Sequence, residues 1–174
     1  RDPEGRPDKL EAITEGARLN MIRSVLFVCT GNSCRSVMAE AILRMRAYEL
    51  GKDYIDVRSA GVRALSGLPS SDETIEVMKE EGVDVSDYRT KNVTVDMIKK
   101  ADLILTMEPT HKDEILALVP EAKSKTYLLK EYGASAKFNP KGFSVHDPIG
   151  KPIDEYRITR DEIKAEIARF VKEL

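Results

Sequence analysis

Short apolar runs alternate with amphipathic stretches along the chain from position 24 onward. Four runs are bounded by turn residues and are typical of buried strands: SVLFVCT, IDVRSAG, DLILTM and KTYLLK, which begin at Ser24, Ile55, Asp102 and Lys125. The stretches between and after them repeat apolar residues at helical spacing, which predicts helices over 35–50, 71–81, 108–119 and 154–174. Strands and helices in alternation predict an α/β fold whose parallel sheet is covered by helices on both faces.

The first twenty residues differ from the rest of the chain in composition and pattern. They are polar and contain two early prolines, whereas the alternating pattern follows Met21. We interpret residues 1–20 as a polar extension or an expression remnant, and residues 21–174 as one domain, since 174 residues suffice for one domain with its own core.

Composition and charge narrow the class of protein. Hydrophobic residues make up 41% and charged residues 33% of the chain, and the formal net charge is −2, as in soluble globular proteins. A nucleic-acid partner is not expected, because no basic patch stands out. A membrane is not expected either, because no apolar run reaches the roughly 18 residues of a membrane helix. The N-terminal residues also lack the layout of a secretory signal, so we expect a cytoplasmic protein with reduced thiols.

Both cysteines of the chain lie in the stretch CTGNSCRS, at Cys29 and Cys34. A structural zinc site needs four nitrogen or sulfur ligands, and the only histidines, His111 and His146, lie in unrelated surroundings. We therefore predict no metal. A structural disulfide between Cys29 and Cys34 would close a very small loop, and such bonds are usually transient or catalytic in the cytosol. A buried strand cysteine without function is the remaining structural interpretation of Cys29.

A third interpretation uses every residue of CTGNSCRS. A strand ends at Thr30, Gly31 and Asn32 permit a tight turn, and a helix begins near Arg35. Successive N–H groups in such a turn, together with a helix N-terminus, bind anions. Arg35 adds a planar fork that matches two phosphate oxygens. Cys29 lies at the base of this site, where the same positive field is expected to favour its thiolate. The pattern indicates phosphoryl transfer through a cysteinyl-phosphate.

The motifs VCTGNSCRS, MAEAIL, RSAG, ADLILTM and HDPIG, in this order, resemble those of the low-molecular-weight protein tyrosine phosphatases, from about Ile22 to the end. The resemblance implies a four-stranded parallel sheet flanked by helices, with a phosphate-binding loop after the first strand. It implies no cofactor, phosphorylated proteins as substrates and inorganic phosphate as product. The implied phosphate-binding residues are Thr30, Gly31, Asn32, Ser33, Cys34, Arg35 and Ser36.

The catalytic residues implied by the resemblance are Cys29, Arg35 and Asp147. Cys29 attacks phosphorus, Arg35 holds the phosphoryl oxygens, and Asp147 of HDPIG protonates the leaving group and later activates water. Proline after Asp147 restricts the backbone of the aspartate to extended conformations, which suits a carboxyl held in place. Ser36 is expected to hydrogen-bond the sulfur, and Asn32 to brace the loop. Cys34 is interpreted either as a packing residue or as the partner of a protective disulfide with Cys29.

Two positions bear on substrate preference. Tyrosine-directed relatives usually carry an aliphatic residue at the position of Ser33 and an aromatic residue after the Asp-Pro pair, where this chain has Ile149. The stretch from Asp147 to Ile163 looks more like the bacterial protein arginine phosphatases. A hydroxyl beside the leaving group suits a guanidinium better than a phenyl ring. We therefore predict hydrolysis of phosphoarginine or phosphotyrosine, with a slight preference for phosphoarginine.

Two other functions share the same loop. An arsenate reductase would need further cysteines to relay a disulfide, or an external thiol. A non-catalytic phosphate-binding or phosphocarrier module would need the cysteine but no placed acid, so Asp147 is the residue that separates this class from an enzyme.

Overall fold

The computed structural model of the chain describes residues 21–132 and 142–174, so the predicted extension over residues 1–20 lies outside them. A sheet is formed by the strands β1 (Ser24–Cys29), β2 (Asp56–Gly61), β3 (Leu103–Thr106) and β4 (Thr126–Leu128). Its strand order is β2-β1-β3-β4, and every neighbouring pair is parallel. The predicted α/β fold with a four-stranded parallel sheet is confirmed.

Helices fill the connections between the strands, and one more helix follows the last strand. They are α1 (Arg35–Glu49), α2 (Asp72–Glu80), α3 (Val95–Lys100), α4 (Pro109–Leu118) and α5 (Ile153–Phe170). Short 3₁₀ turns over Pro120–Lys125 and Val171–Glu173 follow α4 and α5. The four predicted helices are present, with α5 ending at Phe170. Helix α3 was not predicted, because six residues with one buried side chain, Ile98, leave almost no periodic pattern.

Alternate residues of β1 pack into two separate cores on the two faces of the sheet. Val25 and Phe27 belong to the core that contains buried residues of α1, α2 and α5. Leu26 and Val28 belong to the core that contains buried residues of α3 and α4. A strand that is apolar at every position is typical of a parallel sheet covered on both faces.

The strand order creates a cleft at the carboxyl end of β1. From β1 the chain crosses to β2 on one side, and it later returns to form β3 on the other side. Loops that leave neighbouring strands in opposite directions open a crevice, which is where open α/β sheets bind ligands. The residues that follow β1 and β3 therefore face each other across this crevice.

Candidate active site

The 29–36 segment joins the end of β1 to the first turn of α1. Asn32 takes the left-handed backbone conformation, with φ of 55°, which asparagine tolerates better than most residues. The end of β2 lies very close. A Cβ atom at Gly61 would stand 2.4 Å from the carbonyl oxygen of Thr30 and 2.9 Å from the backbone nitrogen of Asn32. The residue at this position must therefore be glycine for the segment to sit against β2.

The side chain of Asn32 is fully buried and connects the segment to its surroundings. Its Nδ2 donates to Ser36 Oγ at 2.9 Å and to Ser59 Oγ at 2.8 Å. Its Oδ1 accepts from the backbone N–H of Lys91 at 2.8 Å. These bonds hold a backbone conformation that would otherwise be costly.

The network also surrounds the sulfur of Cys29 with hydrogen-bond donors. Ser36 Oγ lies 2.9 Å from Cys29 Sγ and accepts from Asn32. A thiolate at Cys29 has no hydrogen to give, so Ser36 donates its hydroxyl hydrogen to it, and the backbone N–H of Asn32 donates to the same sulfur at 3.3 Å. Both donors stabilise a thiolate more than a thiol.

Burial acts on Cys29 in the opposite direction. Only 2% of the residue is exposed, and this burial raises the pKa of the thiol, while the hydrogen bonds from Ser36 and the charge of Arg35 lower it. The net direction of the pKa is upward, because burial outweighs the donors and the positive charge that the sequence predicted.

Arg35 is 2% exposed and joins three parts of the cleft. Its Nη2 donates to Asp147 Oδ2 at 2.7 Å, and its Nη1 donates to the carbonyl oxygen of Val145 at 3.3 Å. Nη1 also forms an ion pair with Glu108, which follows β3. Glu108 was missed by the sequence analysis, although a signal existed: it directly follows the apolar run DLILTM, at the carboxyl end of the sheet.

The 145–150 loop carries Asp147 and is held at its start and by a turn within it. The N–H of Val145 donates at 2.8 Å to the carbonyl that follows β3. The N–H of His146 donates to Glu162 of α5 at 3.0 Å. Asp147 Oδ1 accepts from the N–H of Ile149 at 3.2 Å, which closes a turn around the proline. Asp147 is thereby kept facing the guanidinium of Arg35.

A pocket of about 310 Å³ opens between the segment and the loop. Ile149 stands at its rim with 57% of its surface exposed. Every lining residue was predicted as a site residue: Cys29, Thr30, Gly31, Ser33, Cys34, Arg35, Asp147 and Ile149. The other two predicted site residues, Asn32 and Ser36, are buried beside this pocket, and both contact the sulfur of Cys29.

Cys34 is buried beside a group of hydroxyls. Its sulfur lies 3.5 Å from Ser33 Oγ and 3.5 Å from Ser71 Oγ. Tyr156 belongs to the same group, and its pKa is raised to about 12 by burial first and by Cys34 second. Cys29 and Cys34 are both free thiols.

The two histidines contact different parts of the site. His111 lies at the start of α4, and its Nε2 lies 2.8 Å from the hydroxyl oxygen of Thr30. His146 belongs to the 145–150 loop, and its Nε2 lies 2.7 Å from Glu155 Oε2. Within residues 21–132 and 142–174, no group of three or more potential ligands could hold a metal ion.

The arrangement joins a sulfur nucleophile, a buried guanidinium and a carboxyl group at one pocket. This combination defines an enzyme that transfers a phosphoryl group through cysteine. Comparison with known proteins agrees with that class. The family model for "Low molecular weight phosphotyrosine protein phosphatase" matches residues 24–174, and the chain belongs to this family.

Individual relatives are similar over nearly their whole length. A protein-arginine-phosphatase of Geobacillus stearothermophilus is 37% identical over 150 residues, which cover 86% of this chain and 95% of that protein. An arsenate reductase of Brevibacillus brevis is 34% identical over 154 residues, with coverages of 86% and 95%.

Solved structures agree in fold. A low molecular weight protein tyrosine phosphatase from T. tengcongensis has a TM-score of 0.79 and 40% identity, covering 87% of this chain and 99% of that one. A mutant of the arginine phosphatase YwlE with a phosphorylated active-site serine has a TM-score of 0.79 and 33% identity, with coverages of 87% and 95%. The chain is thus a cysteine-dependent protein phosphatase. Within its described part, no helix is long and apolar enough to cross a membrane.

Proposed function

We propose that the chain hydrolyses phosphorylated proteins by two displacements at Cys29. In the first, the thiolate form of Cys29 attacks phosphorus, the bond to the leaving atom breaks, and Asp147 gives its proton to that atom. In the second, water attacks the cysteinyl-phosphate, Asp147 takes a proton from the water, and inorganic phosphate leaves as the thiolate is released. The observation that carries the proposal is that Cys29, Arg35 and Asp147 line one pocket.

Arg35 is the proposed binding group for the phosphoryl oxygens. A guanidinium has five N–H donors. Three of them are directed at Glu108, the carbonyl of Val145 and Asp147. Among the described residues, the Nε–H and one Nη2–H have no partner, so they are available to two phosphoryl oxygens. The carboxylates keep the buried guanidinium in place until the substrate binds.

The role of Asp147 is tested by changing the leaving group. In Asp147→Asn, we expect kcat for phenyl phosphate to fall by about 10²- to 10⁴-fold, the usual contribution of general acid–base catalysis. The first displacement should slow much less for dinitrophenyl phosphate, whose leaving group needs no proton. Equal losses for both substrates in that displacement, measured from the burst phase, would contradict the assignment.

The preferred substrate is proposed to be phosphoarginine, by a small margin over phosphotyrosine. Ser33 and Ile149 line the pocket, and neither offers an aromatic surface for a phenyl ring. The relative from Geobacillus stearothermophilus is named a protein-arginine-phosphatase. The test is a competition between phosphoarginine and phosphotyrosine peptides, with kcat/KM compared for the wild type, Ser33→Ile and the matched control Ser33→Thr.

We expect Ser33→Ile to move the preference towards phosphotyrosine and Ser33→Thr to leave it unchanged. The reason is that only the isoleucine removes the hydroxyl that would lie beside the polar guanidinium of a phosphoarginine substrate. An unchanged preference in Ser33→Ile would contradict the role of Ser33.

Arsenate reduction is a second candidate, because a relative with 34% identity carries that name. The chain has two cysteines, both within the 29–36 segment. An internal relay to a third cysteine is therefore impossible, and the reaction would need an external thiol. Arsenate reduction that depends on added thioredoxin would support this candidate, and no reduction with thioredoxin present would exclude it.

A phosphocarrier, in contrast, would keep its full phosphate-binding and phosphate-carrying activity in Asp147→Ala.

The proposed location of the protein is the cytoplasm. A separate proposal concerns Cys34, whose second role would be to protect Cys29 from irreversible oxidation. Peroxide would oxidise the Cys29 thiolate to a sulfenic acid, and the Cys34 thiol would displace water from it to form a disulfide. After peroxide treatment, dithiothreitol should restore activity to the wild type but not to Cys34→Ser. Equal recovery of both proteins would contradict this role.

A further inference from the structure

His111 has a buried contact with the pocket that the proposed mechanism does not use. The residue lies in the first turn of α4 and is 2% exposed. Its Nε2 lies 2.8 Å from the hydroxyl oxygen of Thr30, which lines the pocket next to Cys29. Its Nδ1 is buried and has no hydrogen-bond partner among the described residues.

The unpartnered Nδ1 indicates which nitrogen carries the proton. Buried N–H groups without an acceptor are rarer than buried acceptors without a donor. The favoured tautomer therefore leaves Nδ1 bare and places the hydrogen on Nε2, which donates to Thr30. Protonation would add an N–H at Nδ1 that has nothing to bind.

Neighbouring charges agree with a neutral imidazole. Burial lowers the pKa of His111, and the charge of Arg35 on α1 lowers it further. Glu108 at the N-cap of its helix, Glu114 within that helix, and Asp147 on the 145–150 loop act in the opposite direction. Each of these three carboxylates is already paired with an arginine, either Arg35 or Arg63.

A donor at Nε2 changes what Thr30 can do. Its hydroxyl oxygen accepts from His111, so the hydroxyl hydrogen remains for another partner. The backbone of Thr30 is also fixed, because its carbonyl oxygen accepts from the N–H of Arg63 at 3.0 Å. Thr30 is exposed at the pocket and thus offers a side-chain donor there in addition to the N–H groups of the 29–36 segment.

We propose that His111 is a positioning residue for the phosphatase reaction, and that it orients the Thr30 hydroxyl as a hydrogen-bond donor to the bound phosphoryl group. The inference rests on the proposed function of the pocket. It adds Thr30 Oγ1 to the groups that contact the phosphoryl oxygens, and it assigns the orientation of that hydroxyl to an uncharged imidazole on a neighbouring helix.

Four variants test the pair. Thr30→Val and His111→Leu remove the hydroxyl and the imidazole, whereas Thr30→Ser and His111→Gln keep a hydroxyl and a side-chain N–H. The readouts are the inhibition constant of inorganic phosphate and kcat/KM for an aryl phosphate. We expect Thr30→Val and His111→Leu each to weaken phosphate inhibition by about tenfold, since a hydrogen bond to a charged group is lost. Thr30→Ser and His111→Gln should stay within about threefold of the wild type.

The double variant Thr30→Val/His111→Leu separates positioning from general stabilisation. If His111 acts through Thr30, the double variant should be no weaker than Thr30→Val alone. Thr110→Val is the matched control, because Thr110 is an exposed neighbour in the same helical turn. It should leave phosphate inhibition unchanged.

Three results would overturn the inference: unchanged phosphate inhibition in Thr30→Val, multiplied losses in the double variant, or no recovery in His111→Gln. If His111→Leu does not fold, the comparison of Thr30→Val with Thr30→Ser and the recovery in His111→Gln still decide the matter. A burst of phosphorylation at Cys29 in every variant would show that the proposed function stands even where this inference fails. Absence of the burst in the wild type would remove both.

Discussion

Replacing Asn32 by aspartate tests the hydrogen-bond direction at the nucleophile with an almost isosteric change. The Nδ2 of Asn32 gives its two hydrogens to Ser36 and Ser59. An aspartate has no hydrogens to give, so Ser36 would turn its own hydroxyl towards the new carboxylate. Cys29 would then lose the donor that lies 2.9 Å from its sulfur.

The size of the effect follows from the bond that is lost. A hydrogen bond to a charged group contributes about 1.5–3 kcal/mol. This range corresponds to a loss of about 10- to 140-fold, since 1.4 kcal/mol is a factor of ten. The added negative charge beside the sulfur and the phosphoryl group acts in the same direction, so we expect Asn32→Asp to reach the upper part of the range.

The assay is kcat/KM for p-nitrophenyl phosphate, with the free energy of unfolding from urea titration as a check on the fold. Ser59→Ala is the matched control, because it removes the second acceptor of Asn32 while Ser36 keeps its bond. We expect Ser59→Ala to stay within about fivefold of the wild type. A folded Asn32→Asp protein with kcat/KM within threefold of the wild type would refute the reasoning.

Two further predictions concern the charges around the pocket. In Glu108→Gln, less of the charge of Arg35 is neutralised, so the pKa of the Cys29 thiol should fall. Iodoacetate should therefore alkylate Cys29 faster at pH 7 than in the wild type. Slower or equal alkylation would contradict this prediction. The pKa of His111 is lowered in the folded protein, so below the unfolded pKa of about 6.5 the unfolded chain binds more protons. The free energy of unfolding should therefore fall as pH decreases through 6.5, by at most about 1.4 kcal/mol per pH unit for this group. Urea titrations should find a weaker fall in His111→Gln, and identical pH dependence in both proteins would count against a buried neutral imidazole.

The fold was predictable because its strands are short apolar runs and its main helices have periodic apolar faces. Val25 to Val28 are buried on both sides of the sheet, which leaves a continuous apolar run in the sequence. Helix α3 has six residues and depends on the cap at Thr94, whose side chain accepts from the N–H of Met97 at 3.2 Å. Such a helix is stabilised by packing around it, so its own pattern could not predict it.

The site was predictable where its residues are neighbours in sequence, and Asp147 and Ile149 were predicted from the resemblance of HDPIG to a family motif. Cys29 to Ser36 form one segment, and their spacing carries the chemistry. Glu108 and His111 reach the pocket only because β3 lies beside β1, a pairing that local patterns do not specify. The upward direction of the Cys29 pKa could not be predicted for a related reason: the donors around the sulfur are local in sequence, but the burial that raises this pKa comes from elements distant in sequence.

Trapping the covalent intermediate is the most direct test of cysteine-dependent phosphoryl transfer in this chain. Asp147→Asn should be mixed with dinitrophenyl phosphate, denatured rapidly and analysed by mass spectrometry, because this variant forms the intermediate readily and hydrolyses it slowly. We predict one phosphoryl group per chain, located on Cys29, and none in the Cys29→Ala/Asp147→Asn control. A phosphoryl group on any other residue, or continued turnover of the aryl phosphate by Cys29→Ser at the wild-type rate, would contradict the mechanism.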